Sequence, residues 1–145
     1  MREFGGRVEF GVAREVAFDY LVDPRNRAEW QSSLARVSAV DGEPRVGQTW
    51  VDETRPGLSS RMRTTELDRP RLWSESGTWR FVRADLTLSF YDAPRGCTVS
   101  YRFRIHALGP VGVAMSALSS RAVGADLRRA ARIVESTLPP QPPRQ

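Results

Sequence analysis

Lysine is missing altogether: all 22 basic side chains are arginine. Schiff-base catalysis and a phosphate loop built around lysine are thereby excluded. The chain has one cysteine, Cys97, so no internal disulfide can form and a cysteine-built metal site lacks its ligands. It has one histidine, His106, with no Asp, Ser or Cys at a recognisable catalytic spacing. Zinc signatures, paired-carboxylate motifs, nucleophile elbows and nucleotide loops are equally lacking. Neither a metal nor a cofactor is expected, and no catalytic residue can be named. No apolar run approaches the roughly 18 residues of a membrane span, and the opening MREFGGRVEF has no signal-peptide core. The cytoplasm is the expected location.

Charge is plentiful but mixed. Against the arginines stand 17 acidic residues, leaving a net charge of +5. A basic surplus attracts phosphate. Here, however, arginines alternate with acids, as in Arg14-Glu15, Arg27-Ala28-Glu29 and Glu66-Leu67-Asp68-Arg69, which reads as a solvated surface. Nucleic acid is therefore not the expected partner. With 40% hydrophobic residues the chain can bury a core as one domain over residues 1–138. The Pro-rich tail, 139–145, is expected to be extended and mobile.

Periodicity supplies the elements. Phe4 to Val12 alternates, with Val8, Phe10 and Val12 on one side, which predicts a strand. From Ala13 to Val22 the apolar residues fall one helical turn apart, and Asp23-Pro24 opens a second short helix ending at Trp30. Six strands follow: 35–41, 49–54, 59–68, 71–77, 84–91 and 97–106. Each is bounded by a turn signal, among them Gly47, Gly77 and Asp92-Ala93-Pro94-Arg95-Gly96, and short links predict an antiparallel meander. A long helix, 111–138, closes the chain. Its stripe of Val123, Leu127, Ala130, Ala131, Val134 and Leu138 faces the sheet, with Arg121, Arg128, Arg132 and Glu135 behind. Toward its start the same face carries Val113, Ser116 and Ser120. This leaves either a space beneath that half or a closer sheet. Met115, Leu118 and Ala122 form a second stripe, a candidate homodimer contact.

Several motifs resemble the START-like or SRPBCC superfamily, which includes polyketide cyclase/dehydrase-like proteins and lipid-transfer domains. They are Val8-Glu9-Phe10, Leu21-Val22-Asp23-Pro24 leading to Trp30, Val46-Gly47, Thr65 through Trp73, and Gly96-Cys97-Thr98-Val99. The resemblance implies an α+β helix-grip fold, a curved antiparallel seven-stranded sheet wrapped around the long C-terminal helix, with two short helices between strands 1 and 2. It also implies an elongated cavity taking a small hydrophobic or aromatic molecule, lipid or polyketide-like. Cyclase or dehydratase activity is left open, and the superfamily has no universal catalytic residues to carry over. The alternative is a protein or ribosome interaction module of the same fold.

Candidate ligand-binding residues follow from strand and helix faces. Leu88 and Phe90 share one face of their strand, Tyr101 and Phe103 one face of the last strand. Between 59 and 68, one face reads Met62, Thr64 and Glu66 and the other Arg61, Arg63, Thr65 and Leu67, so either inward face brings a charge unless a bulge intervenes. The resemblance favours Met62, Thr64 and Glu66 inward. Met115, Ser116 and Ser120 supply the helix side. All of these serve an ordinary core equally well, and His106 is read as a surface residue. Were a reaction catalysed, Tyr101, Glu66 and His106 would be its candidate polar groups.

Overall fold

Alternating strands that hide one face need a cover, and the closing helix supplies it. The computed structural model describes residues 2–55, 57–106 and 109–137, except for the side chains of residue 2 and of 109–121. Strand β1 (Arg2–Phe10) is followed by helix α1 (Arg14–Val22), a 3-10 turn (Pro24–Asn26) and helix α2 (Arg27–Trp30). Then come β2 (Leu34–Ser38), β3 (Thr49–Thr54), β4 (Ser59–Asp68), β5 (Leu72–Trp79), β6 (Val82–Ala93), β7 (Gly96–His106) and the long α3 (Gly109–Thr137). The strands form one antiparallel sheet in the order β1-β7-β6-β5-β4-β3-β2, so the chain's first strand joins its last and the rest is a meander.

The second short helix begins later than Asp23-Pro24 suggests. Asp23 Oδ1 accepts the Arg25 backbone N–H at 3.0 Å and caps the 3-10 turn, and the α-helical turn follows it. Strand β1 ends at Phe10 because Gly11 leaves the sheet, donating its N–H to Glu135 Oε1 of α3 at 2.7 Å. Gly77, a predicted turn, lies inside β5 instead, and the chain reverses at Arg80, which holds a positive φ of 52°.

Register arranges the inward side chains in rows across the sheet. Phe90, Val99 and Val8 form one row, and Trp73, Leu88, Tyr101 and Gly6 the next. These rows are packed solid by α1 and by the C-terminal half of α3. Phe18 meets Phe90 edge-on with ring centroids 5.0 Å apart, and Leu127, Ala130, Ala131 and Val134 are buried. Complete burial of Leu127 is worth about 1.5–3 kcal/mol, which is why the predicted stripe holds α3 to the sheet. The Tyr101 ring lies across Gly6, where a Cβ would stand 2.6 Å from its hydroxyl oxygen, and reaches α3 at Gly124.

Candidate functional site

Toward the turn joining β5 and β6 the rows change character. Gly77 and Ala84 are register partners on the inward face, and Ala122 of α3 lies on the same lining. Three small residues where the neighbouring rows carry large ones leave a pocket of about 280 Å³ between the sheet and α3. Leu34, Val82, Leu86, Phe103, Trp30 and Trp79 give it a mainly apolar wall. Met62 forms part of the floor, its thioether lying over Gly77. The Arg80 guanidinium, which is not part of the lining, stacks on the Trp79 ring 5.0 Å from its centroid.

One wall is ionic. Arg27, on α2, is 2% exposed and reaches across β4 to carboxylates on two different strands. Its Nε and Nη2 donate to Asp52 at 3.1 and 2.8 Å, and its Nη1 and Nη2 to Glu75 at 2.7 and 3.3 Å. Asp52 also accepts the Trp50 indole N–H at 3.0 Å, and the guanidinium stands 5.1 Å from the Trp50 ring centroid. Such a buried triad adds little net stability over an apolar substitute, because desolvation offsets the attraction, but it fixes where α2 sits. Burial works against the Arg27 charge, yet Glu75 and Asp52 outweigh it and hold the group above its ordinary value. Burial pushes the Glu75 carboxyl up to about 7, opposed by Arg27 and reinforced by the Asp52 charge.

A fourth charged group lies on the helix side. Asp126 of α3 accepts the backbone N–H and the hydroxyl of Ser32 at 3.2 and 2.9 Å through Oδ1 and lines the same pocket. Burial raises its pKa, while the Ser32 hydrogen bonds oppose the rise.

The structure brings together some of the residues singled out from sequence and separates others. Met62 and Phe103 line the pocket. Thr64 faces inward, fully buried beside Glu75 in register, while Leu88 and Phe90 lie in the solid half. Tyr101 is half-buried and packs against the core rather than lining the pocket. Glu66 is outside it: the register shifts between Thr64 and Glu66, so that Leu67 turns in and Glu66 is exposed. The side chains of Met115, Ser116 and Ser120, and the tail 139–145, lie outside the described residues. His106 sits at the end of β7 on the outer face, 3.1 Å from Asp85.

Arg27, Asp52, Glu75 and Asp126 were not legible as a site from charge patterning, which placed Arg27 on the surface; it is buried instead. Strand parity carries a signal for two of them. The face of β3 that buries Trp50 also buries Asp52, and the face of β5 that buries Trp73 also buries Glu75. Nothing in the spacing points to Arg27 as their common partner.

No curated protein matches the sequence. Among solved structures, a protein of Mesorhizobium loti is similar at a TM-score of 0.78 and 13% identity, over 94% of this chain and 98% of that one. A protein of Bacillus cereus named XoxI is similar at 0.76 and 11% identity, over 93% and 96%. The di-domain ARO/CYC StfQ of the steffimycin biosynthetic pathway is similar at 0.74 and 14% identity, over 92% of this chain and 50% of that protein. At such identities these likenesses show the helix-grip fold alone. The sequence profile of one family matches residues 1–138, and the chain belongs to that family, polyketide cyclase / dehydrase and lipid transport.

Proposed function

We propose that this protein binds a small hydrophobic or aromatic molecule in the pocket between the sheet and α3. The observation that carries the reading is a pocket of about 280 Å³ with a mainly apolar wall and a few convergent polar groups. Gly77, Ala84 and Ala122 create this space locally, while the other half of the same sheet is packed tight. Family membership supports ligand binding as well. A cyclisation or dehydration step would draw on Glu75, a carboxyl held near neutrality on the pocket wall and so able both to give and to take a proton.

The interaction-module alternative requires a concentrated arginine surface. Several exposed arginines are instead set against acids, as in Arg36 with Glu53, Arg69 with Asp19, and Arg83 with Asp85. No observation favours that reading over the pocket. Native mass spectrometry of the purified protein, followed by denaturing extraction, tests the proposal. A small apolar adduct, one per chain, is the expected result. A bare chain that takes up no apolar compound on addition would overturn it.

A further inference from the structure

The pocket's charge is lopsided. Its charged side chains among the described residues are Arg27, Asp52, Glu75 and Asp126, three acids against one base. The base is already committed. Arg27 directs Nε, Nη1 and Nη2 at Asp52 and Glu75, so an incoming anion would meet a guanidinium flanked by two carboxyls. Asp126 stands apart from that triad. It is 8% exposed, its Oδ1 is occupied by Ser32, and its Oδ2 has no hydrogen-bond partner among the described residues. The arginine whose field reaches it, Arg129, is exposed on the helix and therefore screened by solvent.

A carboxylate nine-tenths buried, with one oxygen open, lacks a cation or a donor to meet it. Trp30, Trp79 and Phe103 line the same pocket, and aromatic rings attract a positive charge. From these side chains we infer that the pocket selects an apolar molecule bearing a protonated amine, seated on Asp126, and rejects the carboxylate of the same body. The inference rests on the ligand-binding reading above and adds the chemistry of the ligand's polar end.

Three probes sharing one ring system test it: 2-naphthylmethylamine, 2-naphthalenemethanol and 2-naphthoate, titrated calorimetrically into the full chain at neutral pH. The amine is expected to bind about tenfold or more tighter than the alcohol, a difference of about 1.4 kcal/mol, and the naphthoate weakest. In Asp126→Asn the Oδ1 acceptor for Ser32 is kept. In that variant the preference for the amine over the alcohol should disappear. An alcohol that binds while the naphthoate matches or exceeds the amine overturns the charge inference and leaves the pocket reading standing. Persistence of the amine preference in a folded Asp126→Asn variant overturns it equally. If none of the three binds, both readings fall. The wild-type ranking needs no variant, so a misfolded Asp126→Asn would not rescue the inference.

Discussion

Replacing Glu75 by glutamine tests whether burial or the ion pair governs this carboxyl. With the folded value pushed up to about 7 from an ordinary 4.5, the native protein keeps a proton that the unfolded chain gives up between those values. The folded state therefore binds more protons in that window, and stability falls as pH rises through it. At about 1.36 kcal/mol per pH unit, the loss across the window is about 3 kcal/mol. It is flat below the unfolded pKa and flat again above the folded one. Glutamine keeps the shape but does not titrate. Urea unfolding followed by tryptophan fluorescence, from about pH 4 to about pH 8, should give a wild-type minus Glu75→Gln difference that declines by about 3 kcal/mol. A difference that stays level, or that grows with pH, refutes the reasoning. Growth would mean that the attraction of Arg27 exceeds the cost of burying the carboxylate.

Other perturbations probe the same architecture. Arg27→Met removes the one cation between two buried carboxyls and should cost about 3–5 kcal/mol in urea unfolding at neutral pH. Its loss should shrink in acid, where the carboxyls are protonated. Gly77→Ala puts a Cβ 2.6 Å from the Met62 sulfur, a flexible side chain that can swing into the pocket. Its unfolding free energy should change by less than about 1.5 kcal/mol while apolar ligand affinity drops. Gly96→Ala meets backbone atoms of Phe10 and Val12 instead, at a φ of +149°, and should destabilise clearly more than Gly77→Ala in the same urea assay.

What the sequence discloses depends on which side chains obey local rules. Strand alternation in 49–54 and 59–68, and the apolar stripe of the final helix, fix the elements because each has one face that must be hidden. The resemblance in motif order supplies their arrangement. Gly77 is misread because a glycine inside a strand and a glycine at a turn look alike, and only the Met62 side chain across the register shows why it is there. Glu66 is misplaced because a bulge changes parity without a sequence mark, and the residue it releases inward is Leu67. Arg27 shows the deepest limit. Its partners lie 25 and 48 residues away, and next to Ala28 and Glu29 it is indistinguishable from a solvated arginine.

A fluorescence titration with N-phenyl-1-naphthylamine, a neutral apolar dye, into the wild type and into Ala84→Phe tests the pocket itself. Ala84 faces the space opposite Gly77, and a phenyl ring there would occupy it. The account predicts saturable binding of one dye per chain in the wild type and its loss in Ala84→Phe, with the variant still unfolding cooperatively. Equal binding by both proteins, or none by the wild type, would contradict it.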